Sequence, residues 1–178
     1  MNKTRAIIAA LAFTLIGVVS NAARAAQALS PETLVCIRAA ARYYHQPTDR
    51  LSYEGFVDLV TAVRLAEGGT AGRVSRNKNG SFDIGPMQIN STHLPLLASF
   101  GISYDALLNN SCQNIFVGTW ILHNELRSTP ALWSAIGNYN SRTPSYNVQY
   151  QRRIWQKLQR IWADRLSGGA LAEVSRRD

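Results

Sequence analysis

The chain contains 178 residues, of which 46% are hydrophobic and 17% are charged. This composition predicts one globular domain with a real core and excludes a disordered chain. Nineteen lysine and arginine residues against eleven acidic residues give a net charge of +8, which by itself would favour an acidic partner such as nucleic acid.

The first 25 residues predict a secretory signal peptide. Lys3 and Arg5 precede an uncharged run of 14 residues, 6–19, and small residues then allow cleavage after Ala25 or, as a second choice, after Ala28. A membrane anchor is the alternative, but 14 residues are fewer than the roughly 20 that span a bilayer. Cleavage after Ala25 leaves a mature domain with a charge of +5. We therefore expect a periplasmic protein without a membrane span, and the lower charge weakens the argument for nucleic acid.

Two cysteines, Cys36 and Cys112, follow the predicted signal peptide and are therefore expected in an oxidising compartment. Two cysteines allow one intramolecular pairing, and we predict a disulfide between them. The alternative is a pair of buried free thiols. His45, His93 and His123 are scattered relative to the cysteines, so the sequence contains no zinc-ligand spacing.

The mature chain begins with two predicted helices. Ser30-Pro31-Glu32 combines an N-cap residue, a proline for the first turn and an acidic side chain at the positive end of the helix dipole. A second helix is predicted to begin near Ser52 and to end at Gly68-Gly69, where glycine can adopt the left-handed conformation of a C-cap.

Helical periodicity fails between residues 77 and 89, where Asn79-Gly80 predicts a tight turn in a small hairpin or an irregular loop. Helical patterns return near residue 91, and they continue over 115–126, from 130 to 136 and from about 146 to 166. In the last helix, four side chains are predicted to point inward: Ile154, Leu158, Ile161 and Trp162. We therefore predict a mainly α, single domain over residues 26–166 and a flexible tail over residues 167–178.

Glu67 is the glutamate that no structural role explains. It lies 11 residues after Phe56, which at roughly 100° per residue returns it to the apolar face of its helix. Burial and the negative end of the helix dipole both disfavour the ionised form, so the pKa of Glu67 is expected to be raised toward the range useful to a general acid. The alternative is a Glu67 that is exposed at the helix end or neutralised by Arg64 or Arg73.

Two segments after Glu67 carry a resemblance to a known family. The run NKNGSFDIGPMQIN over residues 77–90 and the run AIGNYN over residues 135–140 follow Glu67 in the order found in soluble-type lytic transglycosylases. More narrowly, the sequence resembles the small specialised members attached to secretion, conjugation and pilus machines. The resemblance covers about residues 34–142. The sequence departs from the usual pattern at Gly68, where the family has serine, and at Ser141-Arg142, where it has a small residue and glycine.

The resemblance implies a lysozyme-like helical domain with a small β-hairpin or irregular loop beside the cleft. It implies cleavage of the bond between N-acetylmuramic acid and N-acetylglucosamine in the glycan strands of peptidoglycan, which leaves a 1,6-anhydro end and needs no metal or organic cofactor. Components of a secretion, conjugation or pilus machine are implied as partners. Cys36 and Cys112 also fall where the specialised members carry a pair.

The resemblance also implies roles for individual residues. Glu67 matches the catalytic acid and base. The remaining matched positions shape the sugar cleft or lie beside the catalytic glutamate, and they are Gly85, Met87, Gln88, Tyr139 and Asn140. Each of these also has a structural alternative: Met87 fits a core position, and Tyr139 fits a buried aromatic whose hydroxyl binds a backbone group.

Asp83 leaves two enzyme hypotheses open. Its context, 16 positions after Glu67, also resembles the strand of animal-type lysozymes that carries their second carboxylate, which would make the protein a hydrolase. We favour a supporting role for Asp83, holding the hairpin or balancing charge in the cleft. A third hypothesis is a noncatalytic envelope protein that binds glycan strands. Nucleic-acid binding is excluded by the predicted export and by the lack of a basic groove-reading helix.

Overall fold

The computed structural model describes residues 29–166, so the predicted signal peptide, residues 1–25, and the predicted tail, residues 167–178, lie outside the described part. The helices are α1 (Pro31–Tyr44), α2 (Tyr53–Glu67), α3 (Leu94–Ser99), α4 (Tyr104–Asn109), α5 (Ser111–Ser128), α6 (Leu132–Asn138) and α7 (Pro144–Leu166). The strands are β1 (Val74–Arg76), β2 (Phe82–Ile84) and β3 (Ile89–Asn90), and a short 3-10 helix follows at Ser91–His93. The predicted mainly α fold with a small β element is confirmed.

Helix α2 begins and ends where the sequence predicts. The Ser52 hydroxyl accepts a hydrogen bond from the Gly55 N–H at 3.2 Å, which satisfies one of the free donors of the first turn. The helix ends at Glu67 because Gly68 takes a left-handed conformation with φ of 62°. The apolar face between these ends is buried and consists of Phe56, Leu59, Val60 and Val63.

The predicted hairpin is part of a three-stranded antiparallel sheet of order β1-β2-β3. At its turn, the Asn79 side-chain oxygen accepts hydrogen bonds from the backbone N–H and the hydroxyl of Ser81. The central strand places Asp83 opposite Ser75 on one side and Asn90 on the other. Strand β3 contains two residues, which is too short for an alternating pattern to predict.

The helices pack around α5 and α7. Helix α1 lies against α5 and α2, while α7 lies against α2 and α6. Cys36 of α1 and Cys112 of α5 form the predicted disulfide, with their Cα atoms 5.3 Å apart. In residues 29–166, no helix is long and apolar enough to cross a bilayer. The packing therefore brings the end of α2 and the side of α7 together.

Helix α7 confirms most of its predicted inward face, but Trp162 is a correction. Ile154, Leu158 and Ile161 are buried, whereas the Trp162 side chain is 38% exposed. Its indole N–H donates a hydrogen bond to Asp58 Oδ2 at 2.9 Å. Trp162 lies at the edge of the buried face because a large ring with a polar N–H can cover apolar surface and still reach a polar partner.

Candidate active site

Glu67 is the last residue of α2, and its carboxyl group is directed at α7. The Tyr150 hydroxyl donates a hydrogen bond of 2.5 Å to Glu67 Oε1. Burial raises the pKa of Glu67 to about 7. The predicted direction of this shift is therefore found, and near neutral pH the group exists in both its acidic and its basic form.

Four neighbours modify this effect of burial on the pKa of Glu67. The hydrogen bond from Tyr150 lowers the pKa, as do the positive charges of Arg153 and Arg64, while the negative charge of Asp83 raises it. Within residues 29–166, no arginine forms an ion pair with Glu67. The alternative in which Arg64 or Arg73 neutralises it through a salt bridge therefore does not apply. The Arg64 Nε atom is itself buried without a hydrogen-bond partner.

Two stacked tyrosines connect Glu67 to the loop between β2 and β3. The rings of Tyr139 and Tyr150 are nearly parallel, with centroids 6.2 Å apart. The Tyr139 hydroxyl donates a hydrogen bond to the Met87 carbonyl oxygen at 2.9 Å. The structure thus brings the end of α2, the loop at residues 85–88 and Tyr139 after α6 into one cluster. We call residues 85–88 the cleft segment.

Sequence reasoning missed Tyr150. Its position, four residues before Ile154, places it on the inward face of α7, and it is fully buried. A buried tyrosine hydroxyl requires a partner, which is the signal that could have marked this residue. Only the tertiary structure shows that the partner is Glu67.

A second missed residue, Asn114 of α5, fixes the conformation of the cleft segment. Its side-chain oxygen accepts a hydrogen bond from the Met87 N–H at 2.7 Å. Its NH2 group donates to the Ile84 and Leu107 carbonyl oxygens, each at 2.9 Å. Asn114 is fully buried, so these contacts satisfy a polar side chain inside the core. They hold the backbone of the loop that precedes Gln88.

The loop itself contains unusual backbone conformations at Gly85 and Gln88. Gly85 has φ of 66°, and Gln88 is the non-glycine residue of the described chain with a positive φ, 49°. The Gln88 side chain donates a hydrogen bond to the Gly85 carbonyl oxygen at 2.9 Å. Such strained conformations concentrate at functional sites, and the bond from Gln88 to Gly85 closes the turn.

The two glycines after Glu67 have separate physical roles. Gly68 stands where the resemblance leads us to expect serine, and its left-handed φ of 62° favours glycine. Gly69 approaches the cleft segment so closely that a Cβ atom there would collide with the Gly85 carbonyl oxygen. Glycine at both positions therefore allows the chain to leave α2 and contact the turn of the cleft segment.

Not every predicted site residue presents its side chain to this cluster. The Met87 side chain is fully buried and packs against Gly118, so Met87 contributes to the site through its backbone carbonyl. Asn140 is exposed after the end of α6, and its backbone N–H donates to the Gly137 carbonyl oxygen. Tyr139 and Gln88 are half-buried in the cluster.

Asp83 is held inside the sheet by two asparagines. Asn90 donates a hydrogen bond to Asp83 Oδ1 at 2.6 Å, and Asn77 donates to Asp83 Oδ2 at 3.0 Å. Both side-chain amides also contact the Ser81 hydroxyl oxygen. Each carboxylate oxygen of Asp83 is therefore engaged in joining the strands and the turn.

A cavity of about 350 Å³ lies away from Glu67. Phe56 lines it, and 11 residues of helix place Phe56 roughly 16 Å from Glu67. Three of its charged or titratable side chains have partners: Asp49 binds His123 at 3.1 Å, and Arg50 donates to the carbonyl oxygens of Leu126 and Thr129 at the end of α5. None of the residues predicted for the site lines this cavity. Within residues 29–166, no cluster of three His, Cys, Asp or Glu side chains is arranged to hold a metal ion.

Comparison with known proteins identifies relatives of this chain. It is 34% identical over 94 residues to the invasion protein IagB of Salmonella typhimurium, which covers 51% of this chain and 59% of that protein. It is 34% identical over 110 residues to a peptidoglycan-binding-like protein of Escherichia coli O157:H7, covering 55% and 66%. It is 30% identical over 111 residues to the protein IpgF of Shigella flexneri, covering 60% and 73%. The chain thus spans about three fifths of the length of IagB.

The family pattern of the transglycosylase SLT domain matches residues 52–157. This range begins at the N-cap of α2 and includes Glu67, the sheet, the cleft segment, Tyr139 and Tyr150. The match covers more than half of the 178 residues. The chain therefore belongs to the transglycosylase SLT domain family.

Proposed function

We propose that this protein is a peptidoglycan lytic transglycosylase in which Glu67 acts first as general acid and then as general base. The observation that carries the proposal is the buried carboxyl group of Glu67, which has a pKa of about 7 and contacts Tyr150 inside an SLT domain. A pKa near the working pH lets one group both donate and accept a proton, which general acid–base catalysis requires.

The proposed reaction begins when protonated Glu67 donates its proton to the oxygen between N-acetylmuramic acid and N-acetylglucosamine. The bond between this oxygen and C1 of the muramoyl ring breaks, and positive charge spreads over the ring. The C6 hydroxyl of the same sugar then attacks C1, and the Glu67 carboxylate accepts the hydroxyl proton. The product carries a 1,6-anhydro bond, and Glu67 is again protonated.

The contacts around Glu67 support this sequence of proton transfers. Because the Tyr150 hydroxyl donates to Oε1, that oxygen is the acceptor, and the acidic proton resides on Oε2. We assign Gly85, Gln88 and the Met87 backbone to the wall of the sugar cleft, which Tyr139 holds in place. Asn140, which is exposed and follows Tyr139 in the chain, is assigned to sugar binding.

The location and partners of the protein are also proposals. The predicted signal peptide would deliver the chain to the periplasm, where peptidoglycan lies. One relative is named an invasion protein, and the sequence resembles specialised members that serve envelope machines. We infer that the enzyme opens the cell wall locally for a secretion, conjugation or pilus machine.

Two other functions would use the same domain. A lysozyme-type hydrolase would need Asp83 as its second carboxylate, but both Asp83 oxygens accept hydrogen bonds from asparagines, which favours a supporting role. A noncatalytic glycan-binding protein would agree with the name of the Escherichia coli relative, a peptidoglycan-binding-like protein. The raised pKa of Glu67 favours catalysis, because binding alone does not need it.

Digestion of purified peptidoglycan by the mature protein, followed by mass spectrometry of the soluble products, separates these functions. We expect 1,6-anhydromuramoyl ends, one water lighter than reducing ends. Reducing ends as the sole product would establish the hydrolase and assign Asp83 to catalysis. Co-sedimentation with peptidoglycan without release of fragments would establish the binding protein.

A further inference from the structure

Helix α7 carries a row of cations that the proposed reaction does not use. Arg153, Lys157 and Arg160 are four and three residues apart, so they lie along one face of the helix. We call these three residues the basic ridge. Arg153 and Arg160 are exposed, and Lys157 is half-buried.

Within the basic ridge, the charge of Lys157 is disfavoured by its neighbours in the free protein. In the described residues, no carboxylate forms an ion pair with Arg153 or Lys157. The pKa of Lys157 is lowered by burial and then by the charges of Arg160 and Arg153. By contrast, Arg165 on the same helix is paired with Asp58. Because like charges at helical spacing repel, an anion bound along the ridge would relieve this repulsion.

The ridge starts at the candidate active site. The Arg153 Cζ atom lies 5.4 Å from the centre of the Tyr150 ring, and the hydroxyl of that ring binds Glu67. Lys157 and Arg160 follow along α7, and Arg160 lies roughly 10 Å from Arg153 at 1.5 Å per residue. A ligand bound at Glu67 therefore has a row of cations leading away from its point of cleavage.

We propose that the basic ridge binds the carboxylates of the peptide stems on a peptidoglycan strand whose sugar rings occupy the site at Glu67. Each stem is attached to the muramoyl residue, which is the sugar that reacts. A stem of about five extended residues reaches roughly 17 Å, which is enough to pass all three cations. This inference rests on the proposed function and adds a preference for strands with anionic stems.

The test compares two forms of one substrate. Soluble, uncross-linked peptidoglycan strands are used either untreated or after their stem carboxylates have been converted to methylamides with carbodiimide and methylamine. The measured quantity is kcat/KM for release of anhydro products, and its ratio between the two substrates is the preference. We expect wild-type protein to prefer untreated strands, and the preference to decrease between low and high salt because exposed charges are screened.

Two substitutions on α7 test the ridge: Lys157→Gln removes one of its cations, and Arg152→Gln is the control. Lys157→Gln is expected to reduce the preference about two- to fivefold, the size of one ion pair at the protein surface. Arg152→Gln removes the same charge from α7, but residue 152 lies about 100° around the helix from Arg153, so the preference should stay at the wild-type value. A loss of stability would lower cleavage of both substrates equally and leave the ratio unchanged.

The outcomes distinguish failure of this inference from failure of the proposed function. Equal kcat/KM for the two substrates in the wild-type protein would overturn the proposal that the ridge binds stem carboxylates. The proposed transglycosylase activity would be unaffected. An equal effect of Arg152→Gln and Lys157→Gln on the preference would also overturn the proposal for the ridge, because the effect would then reflect net charge. Absence of anhydro products from both strands would instead contradict the proposed function.

Discussion

Two of the carboxyl groups on helix α2, those of Asp58 and Glu67, lie in opposite environments. Asp58 is 5% exposed and accepts hydrogen bonds from the guanidinium group of Arg165 and the indole N–H of Trp162. Glu67, nine residues later, receives its hydrogen bond from the neutral hydroxyl of Tyr150. A buried acid with a cationic partner stabilises the fold in its charged form. At Glu67, burial outweighs the hydrogen bond from a neutral partner and raises the pKa to about 7, as the proposed general acid requires.

The largest expected effect is on catalysis by Glu67→Gln. The amide keeps the volume and can accept the Tyr150 hydrogen bond, but it has no acidic proton for the leaving oxygen. We expect the rate of turbidity loss in a cell-wall suspension to fall by about a hundredfold or more. For the wild type, kcat/KM should decrease as pH rises through about 7, because the protonated form is the active acid. A variant with near-normal rates would remove Glu67 from the mechanism.

Glu67→Gln and Asp58→Asn are expected to change the free energy of unfolding in opposite directions. The pKa of Glu67 is raised from 4.5 to about 7 in the folded protein, so ionisation above this range costs folding free energy. Glu67→Gln is therefore expected to stabilise the protein at pH 8 by about 1–3 kcal/mol, and by little at pH 4. Asp58→Asn should destabilise it by about 1–3 kcal/mol through the lost bond to Arg165. Urea unfolding at both pH values measures these differences. Changes of the same sign in the free energy of unfolding at pH 8 would contradict the contrast between the two acids.

Tyr150→Phe tests the neutral partner of Glu67. In the wild type, the hydrogen bond from Tyr150 favours the ionised carboxylate of Glu67. Removal of this bond should raise the pKa of Glu67 and move the loss of activity at high pH to a higher pH. Looser orientation of the carboxyl group should reduce kcat by about tenfold. Tyr146→Phe, one turn earlier on α7 and 58% exposed, is the control and should leave both quantities unchanged. A shift toward lower pH would argue against the assigned hydrogen bond.

The smallest expected effect is that of Asp83→Asn. The neutral amide weakens the bonds from Asn77 and Asn90 and removes a negative charge near Glu67. We expect cleavage to slow by a few-fold, about 1 kcal/mol in the barrier, with anhydro ends still as the product. Mass spectrometry of the released fragments measures both the amount of cleavage and the type of end. Loss of all cleavage would place Asp83 in the reaction.

Local signals predicted the part of the site that lies on one helix. Ser52 and Gly68 mark the ends of α2, and helical periodicity singled out Glu67 between them. These features depend on neighbouring residues, so a sequence contains them directly. The resemblance then indicated the cleft segment and Tyr139.

Contacts between distant residues could not be predicted in the same way. Tyr150 and Glu67 are 83 positions apart, and Asn114 binds backbone groups of Met87 and Ile84 that are 27 and 30 positions away. No periodic pattern specifies which buried polar group will meet which partner. Trp162 was misassigned for a related reason, because hydrophobic periodicity does not represent an indole N–H that reaches Asp58.

The contacts of Asn114 have a consequence for how much sequence variation the cleft can accept. All three of its partners are main-chain atoms, which belong to Ile84, Met87 and Leu107. Main-chain groups persist when a side chain changes, so those three positions can vary as far as packing volume allows. Position 114 has no such freedom, because aspartate lacks the two N–H donors and leucine lacks every polar atom. A library that randomises the cleft should therefore keep Asn114 fixed and vary its three partners.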